Sequence, residues 1–284
     1  MTARRQFLLL PALLATLPSC AQTAAAPRAA AAPTGPVLEI GPDGLSQGGL
    51  ALGRVAPGSR VTLDGKPVQV APDGRFAIGF GRDAGPQARL VATVSGGASE
   101  TRELNIEKRG WDIARLNGLP PAMVSPNAQQ LARIQAERKR LAAVRAVDSD
   151  LPFFAEPFIW PARARISGVY GSQRILNGEP RAPHLGLDIA APTGTPVAAM
   201  GGGRVLLAMP LYFTGNTIIL DHGHGVSTLY AHLSAMDVQE GQDVRQGQRI
   251  GAVGATGRVT GPHLHLGLNW LSTALDPAPV LPTT

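Results

Sequence analysis

One cysteine, Cys20, occurs in 284 residues. No disulfide can form within the chain and no cluster of thiolates can hold a metal. Any transition metal must rest on histidine and carboxylate. Charged residues are 16% and aromatics 5% of the sequence, and no Lys/Arg run is interleaved with aromatics. The net charge of +6 therefore suits attraction to an anionic polymer and gives no reason to expect nucleic acid. No stretch reaches the ~18 consecutive apolar residues of a membrane-spanning helix. The chain has no HExxH motif, no lysine after Lys139 and no histidine before His184.

What the chain does have begins with an export signal. Arg4 and Arg5 precede an apolar run from Phe7 to Leu17, followed by small residues, the order of a secretory signal. Arg4-Arg5-Gln6-Phe7-Leu8 resembles a twin-arginine signal. Leu17-Pro18-Ser19-Cys20 resembles a lipobox with an unusual proline, which makes Cys20 a candidate lipid anchor. The alternative is cleavage within the Ala-rich stretch 24–32. Each reading places the protein outside the cytoplasm, in the periplasm or cell envelope, with membrane contact only through a lipid at Cys20.

With 34 glycines and 25 prolines, the remainder suits short strands and many turns. Residues 1–20 are read as the signal and 21–36 as an Ala/Pro-rich tether. Residues 37–108 read as a small β-sandwich-like module: Asp64-Gly65 between apolar runs is a hairpin signal, and Phe76-Ala77-Ile78-Gly79-Phe80 alternates large and small. Residues 109–150 read as a helical connector, because Leu131, Ile134, Arg138, Leu141 and Val144 recur at helical spacing after Ser125-Pro126. Residues 151–284 return to short apolar runs and predict an antiparallel all-β domain. The fold class is mainly β.

All six histidines lie between His184 and His265. His184 and Asp188 would stand about 13 Å apart on a straight strand, so a shared ion requires the chain to bend, with Gly186 as the place. His263 and His265 share one face of a strand, about 6–7 Å apart, with Leu264, Leu266 and Leu268 on the other. His184, Asp188 and one histidine of that pair make three ligands of types zinc accepts, leaving a fourth position for water. The other member of the pair, and His232 in Tyr230-Ala231-His232-Leu233, are available as bases near neutral pH.

Three segments, His184-Leu185-Gly186-Leu187-Asp188 with Ile189-Ala190-Ala191-Pro192, Tyr230-Ala231-His232-Leu233, and Gly257 through Gly261-Pro262-His263-Leu264-His265, resemble in order the three motifs of the lysostaphin/LytM-type zinc metallopeptidases. The resemblance spans 158–277. It implies one Zn²⁺ per chain on His184, Asp188 and His265, with His263 and His232 as the catalytic histidines, acting as base and oxyanion stabiliser, and peptide cross-links of peptidoglycan as substrate. Gly267 stands where many relatives carry an acid, which is expected to affect cleft shape and not the metal. His222 is expected to help line the cleft and His224 to be a loop histidine.

Three other functions compete. A catalytically silent relative that binds the wall or activates amidases would have lost ligands, and none is missing here. A swinging-arm carrier, suggested by the Gly-rich turns of 240–251, would need a lysine in this part of the chain. A closed structural zinc would take four protein ligands, and five suitably placed groups exist. The upstream region is expected to modulate access to the cleft, with Asn117 and Asn127 as candidate plugs of the open position. A fragment from Leu151 is then expected to cut at least as fast as the mature chain.

Overall fold

The computed structural model describes residues 38–116, 127–176 and 179–283. The signal, the tether, Cys20 and Asn117 lie outside the described residues. Two antiparallel sheets come first. One has three strands, Leu38–Ile40, Leu50–Val55 and Arg75–Gly79. The other has four, in the order Lys66–Val68, Arg60–Leu63, Gln87–Thr93, Ser99–Asn105. Asp64 (φ 50°) and Gly65 (φ 77°) make the hairpin turn between the second and first strands of that second sheet, as two residues that tolerate positive φ allow. Leu38, Val61, Phe76, Ile78 and Leu90 bury a shared core between the sheets.

The helix runs from Ala128 to Arg145. Asn127 is its N-cap: the side chain accepts from the Gln130 N–H, and Gln130 returns the bond, a capping box. Asn127 is therefore committed to the helix end and does not plug a metal site. The buried stripe also differs from the expected one. Ile134 and Val144 are buried, whereas Leu131 is 46% exposed. Val144 and Leu141 pack on Leu207, Leu211, Ile219, Leu229 and Ala231, so the helix lies on the sheet by a narrow stripe. The connector also contains a strand, Ile113–Leu116, which pairs in parallel with Gln173–Leu176.

Glu179–Pro180 pairs antiparallel with Gln173–Leu176 in that small sheet, and the remaining strands form a ten-stranded sheet. Its main path is Asp243–Val244, Gly203–Leu211, Gly215–Gly223, Val226–Met236, Leu264–Trp270, Leu187–Ala190 and Arg165–Gly168, with all pairs antiparallel. Leu264, Leu266 and Leu268 are fully buried, on the face opposite His265, as alternation requires. Trp270 packs against both this core and the core of the upstream sheets. The upstream region thus shares packing with the C-terminal sheet.

Candidate active site

Strand register assembles the site. Asp188 pairs directly with His265 across one ladder, and His265 pairs with Ala231 across the next. His232 follows at once, in the left-handed region at φ 63°, a costly conformation for a side-chain-bearing residue that surrounding structure must hold. His184 lies just before the strand Leu187–Ala190. It is fixed by backbone bonds from its N–H to Ser172 O and from Gly171 N–H to its own carbonyl.

His184 Nε2 lies 3.0 Å and His265 Nδ1 2.9 Å from Asp188 Oδ1, and the two nitrogens are 3.0 Å apart. His184 Nδ1–H donates to Val169 O at 3.0 Å, which leaves Nε2 with its lone pair turned inward. Three electron-rich atoms facing one another repel unless a proton or a cation lies among them. Gly186 is needed here for space: a Cβ would fall 2.6 Å from both His265 Cε1 and Leu266 O. The bend expected at Gly186 is a close approach to the His265 ring.

His263 and His232 border this cluster. His263 Nε2 is 3.8 Å from Asp188 Oδ1, and its Nδ1–H donates to Gly261 O at 2.9 Å. His232 Nδ1–H donates to Thr256 O at 2.9 Å. The His232 ring centroid is 4.8 Å from that of His263 and 6.0 Å from that of His265. Both rings therefore present an unprotonated Nε2 when neutral.

Charge follows these contacts. Burial pushes the Asp188 carboxyl up, but its bonds with His184 and His265 outweigh that and hold it well below the usual carboxylate range. Burial pushes His184 down, and Asp188 beside it reverses the sign and raises it. Burial also depresses His232, with His263 and His265 adding to it, to about 4.

The remaining histidines are not at the opening. His222 is fully buried, with Nδ1 2.6 Å from Gly202 O and Nε2 2.8 Å from Thr228 Oγ1. It does not line the cleft. His224 sits in the turn between Gly215–Gly223 and Val226–Met236, as a loop histidine, and is buried there against Phe154, centroids 4.1 Å apart. Gly267 shares the His265 face, where a Cβ would meet Leu229 Cβ at 3.3 Å. Its environment is packing.

Sequence reasoning missed the groups that hold His232. Thr214 O accepts the His232 N–H at 2.8 Å, while Thr256 sets the ring. Both sit on one support, since Asn216 N–H donates to Thr256 Oγ1 and Arg258 N–H to Phe213 O. The helix braces this loop: Glu137 Oε2 accepts the Tyr212 N–H at 2.8 Å and Oε1 holds Arg133 at 2.7 Å. Nothing in residue type or spacing signals a backbone carbonyl as an orienting group. Glu137→Ala is expected to speed hydrogen exchange at the His232 amide by about tenfold, the scale of one lost charge-assisted bond. Glu137→Gln, which keeps an acceptor, should restore most of the protection. Unchanged exchange in the alanine variant would detach the helix from this support.

A half-buried His–Asp–His cluster with two further histidines at the same opening is the kind of centre on which hydrolases are built. Residues 182–277 match the description Peptidase family M23. The chain is 31% identical over 189 residues to the uncharacterized lipoprotein YgeR of Escherichia coli, covering 60% of this chain and 72% of that one. The chain belongs to peptidase family M23. It is 47% identical over 102 residues to the peptidoglycan DD-endopeptidase ShyA of Vibrio cholerae, covering 36% of this chain and 24% of ShyA. It thus spans about a quarter of that relative's length. A crystal structure of an M23 peptidase from Pseudomonas aeruginosa superposes with a TM-score of 0.65 at 28% identity, covering 83% of this chain and 94% of that one.

Proposed function

We propose that the chain is an exported zinc metalloendopeptidase that hydrolyses peptide cross-links of bacterial peptidoglycan. The observation that carries this is the convergence of His184, Asp188 and His265 on one point, with His232 and His263 beside it. The donor set fits zinc: two imidazole nitrogens and one carboxylate oxygen, with Asp188 ionised and the His184 tautomer preset by Val169 O. The relative ShyA, named a peptidoglycan DD-endopeptidase, supports the substrate class. Export rests on the Arg4-Arg5 signal and, for a lipid at Cys20, on the lipoprotein name of YgeR.

When bound, zinc acidifies a water and polarises the scissile carbonyl. His263 Nε2, on the Asp188 side, takes a proton from the attacking water. His232 Nε2 is unprotonated at rest and weakly basic, with a pKa of about 4; the second proton of the attacking water, taken up there as the tetrahedral adduct forms, makes it a strong donor. That suits it to stabilise the oxyanion or to deliver a proton to the leaving amine. Thr256 O and Gly261 O keep the two rings aimed with Nε2 outward.

The test is digestion of purified sacculi by the mature protein, with peptides identified by mass spectrometry, with and without chelator. Cross-linked peptides cut only without chelator is the expected result. Intact sacculi, or cutting that chelator does not stop, would overturn the proposal. A pH profile adds a second check. His232 stays neutral well below pH 6, so it does not set the acid limb. His184 in the metal-free site is raised, and a raised pKa means a proton competes with the metal from a higher pH than at a free histidine. Zinc content and kcat/KM are expected to fall together as pH drops below the histidine range. An activity maximum near pH 4 would contradict this scheme.

A further inference from the structure

One turn, 169–172, fixes His184. It joins the strands Arg165–Gly168 and Gln173–Leu176 and lies before the M23 match at 182–277. Val169 O accepts the His184 Nδ1–H at 3.0 Å. Ser172 O accepts the His184 N–H, and Gly171 N–H donates to His184 O, each at 2.8 Å. These bonds set both the place of the ring and its tautomer. Gly171 sits at φ 82°, and it must lack a side chain, since a Cβ would fall 2.5 Å from Trp111 Cζ3. Tyr170 anchors the start of the turn by its hydroxyl on Ala274 O at 2.8 Å. The next peptide is more exposed to error. Glycine permits its ψ to rotate, and rotation there would carry off Ser172, whose oxygen holds His184.

The group that pins this peptide comes from the upstream module. Arg82 follows the strand Arg75–Gly79, and its Nε donates to Gly171 O at 2.9 Å. Among the described residues no other group donates to that carbonyl. Arg82 Nη2 donates to Gln173 Oε1 at 3.3 Å, and Nη1 to Asp83 Oδ1 at 2.7 Å. The guanidinium also lies 5.4 Å from the Trp111 ring, which stands edge-on to Tyr170 with centroids 5.6 Å apart. A planar fork engaged at three points has little freedom. With the side chain only 11% exposed, its charge-assisted bond to Gly171 is stronger than one in water. Attachment of the module does not depend on it, because Trp270 joins both cores and Arg109 pairs with Asp276 at 2.8 Å. We propose that Arg82 is a positioning residue of the metal centre. Through Gly171 it steadies the turn that aims His184 Nε2 at Asp188 Oδ1 and His265 Nδ1. This inference rests on the reading of those three residues as a zinc site. The upstream module then supplies part of the metal affinity of the C-terminal domain.

The test uses the full mature chain and does not depend on cutting. Zinc affinity is measured by competition with a chromophoric chelator, and hydrogen exchange at the His184 amide is read on the metal-free protein. Arg82→Met keeps a stem over Trp111 and removes the donors. It is expected to weaken zinc binding about tenfold, the lower end of what loss of a ligand-orienting group costs. It should also speed His184 exchange about tenfold, the scale of one charge-assisted bond, while amides of the central strand Gly215–Gly223 exchange as in the wild type. Arg82→Lys, which returns a cation and a donor, should recover most of both. Should Arg82→Met not fold, Arg82→Gln, a polar side chain too short to reach Gly171, gives the same reading. Unchanged His184 exchange in the folded variant would overturn the role, as would unchanged zinc affinity where the wild type binds zinc, or no recovery in Arg82→Lys. A wild type that binds no zinc, with His184 exchange still faster in Arg82→Met, would keep Arg82 as the hold on His184 and sink the zinc reading instead.

Discussion

Asp188→Ala is expected to abolish zinc binding and, with it, all hydrolysis. Asp188 Oδ1 is the atom common to both close contacts, 3.0 Å from His184 Nε2 and 2.9 Å from His265 Nδ1. It also supplies the only negative charge of the cluster. Removing it leaves two neutral imidazoles, and two ligands rarely hold zinc tightly. The loss should exceed the roughly 10–100-fold that removal of an outer-shell partner costs. His184→Ala should behave alike, although Asp188 and His265 keep their contact. Zinc measured by elemental analysis on folded protein, with circular dichroism as the control, decides the matter. One zinc per chain retained in either variant would remove that residue from the ligand set.

Much of the site was legible because its chemistry is concentrated in rare residue types. Six histidines within 184–265 and the i, i+2 spacing of His263 and His265 point to one centre. Spacing left the two members of the pair equivalent. Register distinguishes them: His265 faces Asp188 directly, while His263 precedes the strand Leu264–Trp270 and stands 3.8 Å from that carboxylate. Register is a long-range property, set by which strands meet, and no local pattern reveals it. The same limit hid Ile113–Leu116. Four residues in a turn-rich stretch carry too little periodicity, and their parallel partner lies about 60 residues away. Leu131 stays 46% exposed because helical spacing names apolar positions without naming the surface they meet.

Without residues before Leu151, the chain loses the parallel strand at Ile113–Leu116, the Trp111 stack over Gly171, and the Glu137 bond to Tyr212. It also strips the upstream cover from Trp270. Faster cutting by such a fragment, expected if the region only restricts access, conflicts with these supports. The structure favours a fragment that is less stable and slower. That outcome follows from packing, which sequence composition alone cannot count.

His232→Asn is expected to retain one zinc per chain and to lose about 10²–10⁴-fold in kcat, the usual scale for a proton-transfer or oxyanion-stabilising group. His232 lies outside the three-donor cluster, so metal retention follows. Asparagine is the informative replacement because the site sits at φ 63°, a region asparagine enters more readily than most residues. His232→Ala should lose as much activity, with some added cost in stability from the same backbone strain. The low basicity of His232 gives the experiment a further edge. Burial first, then His263 and His265, hold its pKa to about 4, so near pH 7 the wild-type ring enters the reaction neutral. Its loss should lower kcat at every pH in the working range without moving the acid limb, which belongs to the ligand set. A shifted limb would make His232 the titrating base. Loss of zinc together with activity in the asparagine variant would instead recast His232 as a metal ligand and displace one of the three.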